Sequence, residues 1–141
     1  MTREDIMKII PHRDNMLLLD EAICEDGIAH GKLHIKGDEW FLKGHFPNNP
    51  VVPGVILCEI LAQSACVLLA DTADGRTPFF TGLNNVKFKT PVRVGDTYET
   101  ECKIDKNKAN FYFCEGKGTV NGKLDVKAEF SFALVSAEEG K

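Results

Sequence analysis

Residues 55–70 carry only three polar side chains, Glu59, Gln63 and Ser64, and no glycine or proline. Pro53 and Gly54 stand just ahead of them, and proline is tolerated in the first turn of a helix, where its missing N–H is not needed. The pattern predicts a helix that begins near Pro53 or Gly54 and ends near Asp71. A helix that is apolar on nearly every side has to be buried on nearly every side. A chain of 141 residues builds one core, so one domain over residues 1–141 is expected. The economical cover for such a helix is a sheet curled around it.

The rest of the chain supplies that sheet. Thr2 with Asp5 reads as the cap of a short helix whose Ile6, Ile9 and Ile10 form an apolar face stopped by Pro11. The apolar run at residues 17–24 is expected to be a strand. From Ile28 to Lys36 the chain alternates, with Ala29, Leu33 and Ile35 on one side and His30, Lys32, His34 and Lys36 on the other. After the helix the alternation continues to the end. Val86 and Phe88 alternate with lysines, and Tyr98, Thr100, Cys102 and Ile104 share a face. Residues 111–119 and 124–135 are joined by a hairpin turn at Asn121-Gly122. Val126, Ala128, Phe130, Phe132 and Leu134 fall on one face of the last strand. The fold class is α+β, an antiparallel sheet wrapped around one long central helix.

Composition closes off several functions. The net charge of −4 argues against a nucleic-acid surface, which favours a basic balance. No apolar run reaches the roughly 18 residues of a membrane span, and residues 1–8 carry no signal-peptide apolar region, so a cytoplasmic location is expected. Five cysteines without a CxxC pair indicate neither a disulfide framework nor a zinc knuckle, and read as reduced, mostly buried thiols. His30 and His34 would stand about 13 Å apart along a strand, too far to share a metal.

The chemistry concentrates between residues 44 and 63, where one histidine and one carboxylate flank a proline-stiffened loop that runs into the helix. Glu59 shares a helix face with Ile56, Ile60 and Gln63. A carboxylate among apolar neighbours is costly unless it is paired or used, and burial lets such a group hold a proton. Gln63, one turn on, can donate an amide N–H to it. The first N–H groups of the helix lie at the positive end of its dipole, and Gly54 has no side chain to block approach. A carbonyl oxygen that gains charge there would be stabilised by about 3–4 kcal/mol per donor. His45, held by Pro47, Pro50 and Pro53, is the natural proton acceptor. His12, in Pro11-His12-Arg13, could line a substrate entrance. The constellation reads as proton chemistry on a carbonyl compound.

These residues resemble the 3-hydroxyacyl-[acyl-carrier-protein] dehydratases of fatty-acid synthesis, the FabZ type. The resemblance rests on Pro11-His12-Arg13, Leu17-Leu18-Leu19-Asp20, Gly44-His45-Phe46-Pro47, Pro50-Val51-Val52-Pro53-Gly54-Val55 and Glu59-Ile60-Leu61-Ala62-Gln63. It continues through Gly82-Leu83, Lys87-Phe88-Lys89, Pro91-Val92 and Gly95-Asp96. Asn48 stands where the family often has glycine, and Ile60 where it usually has alanine. The resemblance implies a hotdog fold and a homodimer whose sheets join, each site combining His45 of one subunit with Glu59 of the other. A trimer of dimers is a further assembly it implies. It implies dehydration of a (3R)-3-hydroxyacyl thioester to the trans-2-enoyl thioester without metal or cofactor. His45 would take the C2 proton, the Gly54 N–H would hold the carbonyl oxygen, Glu59 would serve the leaving hydroxyl and Gln63 would position Glu59. Ile56, Ile60, Phe79, Phe80 and Phe88 are expected to line the acyl channel. Lys43, Lys87, Lys89 and Arg93 are expected to meet an acidic acyl carrier protein, with a solvated strand face as the alternative. The other readings are trans-2 to cis-3 enoyl isomerisation, a specialised lipid or polyketide route, a thioesterase and a non-catalytic acyl-binding module.

Overall fold

In the computed structural model, which describes residues 2–10, 16–42, 50–69 and 76–136, one antiparallel sheet curls around one substantial helix. The elements run α1 (Arg3–Met7), β1 (Glu21–Glu25), β2 (Ile28–His34), α2 (Gly54–Cys66), β3 (Thr77–Phe88), β4 (Thr97–Lys108), β5 (Phe111–Val120) and β6 (Lys123–Val135). The strand order is β1-β2-β4-β5-β6-β3, so β1 and β3 are the edges. Local chemistry sets several boundaries. The Thr2 hydroxyl accepts from the Asp5 N–H at 3.3 Å, and the Asp5 carboxylate accepts from the Thr2 N–H at 3.0 Å, closing a capping box on α1. The β5–β6 hairpin turns at Asn121 (φ 53°) and Gly122 (φ 78°), the pair of left-handed residues that a two-residue hairpin requires.

Two expectations are corrected. The first strand begins at Glu21, not at Leu17. Leu17, Leu18 and Leu19 are all buried, so they do not alternate. Their backbone is served by side chains instead of a strand ladder: Arg3 donates to the carbonyls of Leu17 and Leu19, and the Leu18 N–H donates to Gln63. The helix α2 closes at Cys66 and tightens into a 3-10 turn over Val67–Leu69.

One flank of α2 is sealed by β2, β4 and β5. Ile60, Leu61 and Ala65 are fully buried there, each large aliphatic contributing about 1.5–3 kcal/mol by leaving water. Polar groups lock the contact. The Tyr98 hydroxyl donates to the Leu57 carbonyl at 3.2 Å, and Ser64 Oγ donates to the Ile60 carbonyl and lies 2.7 Å from Thr100 Oγ1. The Tyr98 ring lies against Gly118, where any Cβ would collide with it. In β6, Val126, Ala128, Phe130, Phe132 and Leu134 are buried together as the alternation predicts.

The other flank is open. Val55 is 73% exposed. On β3, the residues paired with the inward positions of β6 are Phe80, Leu83 and Phe88, opposite Phe132, Phe130 and Val126. All three are large, apolar and exposed by 44–54%.

Candidate active site

The approach to α2 is fixed by backbone pairing. Val52 donates its N–H to the Val92 carbonyl at 2.8 Å, and Val51 bridges Arg93. The Pro53 carbonyl then accepts from Ile56 and Leu57 and starts the helix. The N–H groups of Gly54 and Val55 lie ahead of the first intrahelical bonds and point out of the helix end. A Cβ on Gly54 would lie 2.8 Å from Phe88 Cζ. The missing side chain lets the Phe88 ring of β3 rest against the helix start.

Glu59 sits one and a half turns further on, partly buried. Gln63 is 1% exposed and ties it into the fold. The Gln63 amide nitrogen donates to Glu59 Oε1 at 3.3 Å and to the Met16 carbonyl at 2.8 Å, while its oxygen accepts from the Leu18 N–H at 2.9 Å. Beside this pair lies a cavity of about 30 Å³, lined by Glu59, Ala62, Gln63, Cys66, Pro78, Phe80 and Phe132. It joins the Glu59 carboxylate and the Gln63 amide to an apolar slot between α2 and the β3–β6 pair.

Of the expected channel residues, Phe80 lines this cavity and Phe88 covers Gly54. Ile56 is half-buried at the helix start. Ile60 is placed instead in the sealed core at 0% exposure, and Phe79 pairs with Ala133 on the opposite face of β3 from Phe80. The walls the sequence reading missed are Ala62, Cys66, Pro78 and Phe132. Ala62 and Cys66 follow Glu59 at helical spacing and were legible in principle; Phe132 depends on the β3–β6 register.

Lys87, Lys89 and Arg93 are exposed. Lys87 stands opposite Lys127, which stands opposite Lys117, so a row of lysines crosses three adjacent strands. Lys127 and Lys117 were invisible without that register. His45, His12 and Lys43 lie outside the described residues.

Other groups are less promising. A groove of about 300 Å³ on the outer sheet face is lined largely by ion pairs, with Lys117–Glu101 and Lys103–Glu115 both at 3.0 Å. His34 Nδ1 bonds Thr97 Oγ1 at 2.9 Å, and His30 Nδ1 lies 3.9 Å from Glu101. No cluster of three His, Cys, Asp or Glu side chains able to hold a metal occurs among the described residues, and no helix among them is long and apolar enough to cross a membrane. Cys58, Cys66, Cys102 and Cys114 are buried. Burial pushes the Cys66 thiol well up, with Cys114 and Glu59 adding to it, and pushes Cys114 up to about 12. Cys66 is therefore a protonated, apolar wall of the cavity and not a nucleophile. Asp125 is buried, accepts a hydrogen bond from the Thr90 hydroxyl, and has no partner for Oδ2 among the described residues. Burial pushes its carboxyl up, Thr90 pulls it down, and nearby Asp96 adds to the rise.

The family model of the ApeI-like dehydratases, described as ApeI dehydratase, matches residues 22–123. Among curated proteins, the 3-hydroxyacyl-[acyl-carrier-protein] dehydratase FabZ of Thermomicrobium roseum is 43% identical over 140 residues, covering 96% of this chain and 94% of that one. The FabZ of Fusobacterium nucleatum is 39% identical over 133 residues, covering 92% and 94%. Among solved structures, the dehydratase heterocomplex ApeI:P from Xenorhabdus doucetiae superposes with a TM-score of 0.82 at 18% identity, covering 95% of this chain and 93% of that one. A putative thioesterase from Ralstonia eutropha does so at 0.63 and 21% identity, covering 82% and 83%. At those identities the structural matches establish the fold alone, the hotdog fold.

Proposed function

The chain belongs to the FabZ-type 3-hydroxyacyl-[acyl-carrier-protein] dehydratases, hydro-lyases of fatty-acid biosynthesis, and on that premise we propose how its own residues divide the work. The observation that carries the reading is Glu59, steadied by Gln63 and facing an apolar slot, in the same helix whose N-terminus begins at Gly54. The C2 proton of the substrate is weakly acidic and hydroxide leaves poorly, so each end needs a partner. His45 removes the C2 proton. The Gly54 N–H and the helix dipole hold the thioester oxygen as it gains enolate-like charge. Glu59 donates a proton to the departing 3-hydroxyl, or orients it. The C2–H and C3–O bonds break, the C2–C3 double bond forms, and water leaves, with no electron transfer to any outside group. The acyl chain enters the slot between Ala62, Cys66, Phe80 and Phe132, with Ile56 and Phe88 at its mouth.

The open flank of α2 fits a second copy of the chain. In that homodimer the edge strands β3 pair, Phe80, Leu83 and Phe88 are covered, and His45 of one subunit meets Glu59 of the other. A trimer of such dimers is the larger assembly consistent with the resemblance. Lys87, Lys89 and Arg93, with Lys43 and the neighbouring Lys127, offer positive charge to an acidic carrier protein near the slot. The whole chain, residues 1–141, acts as a single domain in the cytoplasm.

Mass spectrometry of a 3-hydroxyacyl-acyl carrier protein incubated with the protein tests this. Loss of one water is expected, and is expected to fail with His45→Ala and Glu59→Gln. Cleavage of the thioester instead would install the thioesterase reading.

A further inference from the structure

We infer that Arg3 is a positioning residue for Glu59, acting through the strap of residues 16–19 and the Gln63 amide; the inference rests on the reading of Glu59 as the acid. The chain of contacts is continuous. Arg3 Nη1 donates to the carbonyls of Leu17 at 3.2 Å and Leu19 at 3.0 Å. That pins the strap from α1, since one guanidinium nitrogen bridges two carbonyls that no strand partner serves among the described residues. The pinned strap presents the Leu18 N–H and the Met16 carbonyl to the same side chain, Gln63.

The strap decides which way the Gln63 amide faces. The Leu18 N–H is a donor, so only the amide oxygen can meet it. The Met16 carbonyl is an acceptor, so only the NH2 can meet that. With both fixed, the NH2 must also face Glu59 Oε1, where it lies at 3.3 Å. A flipped amide would put donor against donor at Leu18 and oxygen against oxygen at Met16 and Glu59, all inside a side chain that is 1% exposed. Such a flip leaves the buried Leu18 N–H and both ends of the buried Gln63 amide mismatched, and is strongly disfavoured. Oε1 of Glu59 is thereby the permanent acceptor, and Oε2 is the oxygen that carries the proton to the leaving hydroxyl. Arg3 does not touch the substrate. It sets the direction of the carboxyl from the far end of the strap.

The test is steady-state dehydration of 3-hydroxybutyryl-acyl carrier protein by the full chain. Arg3→Met keeps the length of the side chain and removes the donors. It is expected to lower kcat by about tenfold while KM stays within about twofold, because a misdirected acid slows the chemical step more than it weakens binding. Arg3→Lys, which restores a donor of similar reach, is expected to recover part of the loss. Ile6→Val loosens α1, where Ile6 is fully buried, but leaves the Arg3 donors in place, and is expected to keep the wild-type kcat. A wild-type kcat in Arg3→Met overturns the inference. So does an equal fall in Ile6→Val, which would make Arg3 merely structural. Should Arg3→Met not fold, Arg3→Gln carries the same reading: kcat lowered at unchanged KM supports it, and unchanged kcat overturns it. Full activity in Glu59→Gln would remove the acid and this inference with it. An inactive Glu59→Gln beside a fully active Arg3→Met removes this inference alone.

Discussion

The two flanks of α2 are built from the same helix and the same sheet, yet one is finished and the other is not. Against β2, β4 and β5 the helix is sealed: Ile60, Leu61 and Ala65 have no exposed surface, and the Tyr98 and Ser64 hydroxyls are spent on its carbonyls. Against β3 it is unfinished: Val55 is bare, Glu59 is half-covered, and Phe80, Leu83 and Phe88 face it without being buried by it. Stability is concentrated on the first flank and chemistry on the second. A reacting carboxylate needs room for substrate, and a packed interior has none.

Substitutions on the two flanks should therefore separate turnover from stability. The largest effect is expected from Glu59→Gln, which should cut kcat/KM by about 10²–10⁴-fold with no fall in the thermal midpoint. On the sealed flank Leu61→Ala should do the reverse, costing about 2–5 kcal/mol of unfolding free energy while the folded fraction still turns over. Equal losses of both properties in both variants would erase the division. Next in size, Leu83→Lys places a charge among the exposed apolar residues of β3. If a second copy covers that face, sedimentation should show dissociation to monomers and activity should vanish with the dimer. A monomeric wild-type protein would show the open flank to be substrate-facing only.

Two crowded glycines, one on each flank, sharpen the contrast. Gly118→Ala drives a methyl into the buried ring of Tyr98 and should cost about 1–3 kcal/mol or more by overpacking. Gly54→Ala meets only the far end of the half-exposed Phe88 ring, which can swing aside. Its stability should change little, while turnover falls because the ring and the approach to the N–H are disturbed. Denaturant titration with parallel activity assays reads both.

The smallest effect concerns Asp125, a flaw beside Tyr98. Its carboxyl is raised by burial, so both folded and unfolded chains hold this proton in acid. As the pH climbs past the unfolded value of about 3.9, the unfolded chain ionises first and stability declines, levelling once the pH passes the raised folded value. Asp125→Asn lacks that decline. Denaturation at a series of pH values should show the wild type losing ground to Asp125→Asn above about pH 4; parallel curves would contradict the assignment.

What was legible in the sequence was whatever local chemistry decides. The burial of α2 follows from its composition, the β5–β6 turn from Asn121-Gly122, and the α1 cap from Thr2 and Asp5. What depends on distant partners was not. Residues 17–19 look like a strand, but their backbone is bound by Arg3 and Gln63. Alternation says that Phe79 and Phe80 point oppositely without saying which points inward. Ile60 and Ala62 flank Glu59 on different helical stripes, and only the position of β3 decides which stripe faces the slot. The lysine row from Lys87 to Lys117 needs two strand registers at once.

The placement of β3 has a kinetic consequence. β1 with β2, and β5 with β6, are hairpins closed by tight turns, which form from neighbours in the chain within microseconds. β3 has no such neighbour. Among the described residues of one chain it pairs only with β6, Thr77 reaching Val135 and Phe88 reaching Val126, so it must wait for β6 to be in place and then close a long loop to reach it. Within a single chain it is the last strand to dock and, as an edge until a second copy covers it, the first to leave. Amide hydrogens along β3 should exchange before those of β4 and β5. On gentle heating the molecule should forget how to catalyse while most of its sheet still remembers how to fold.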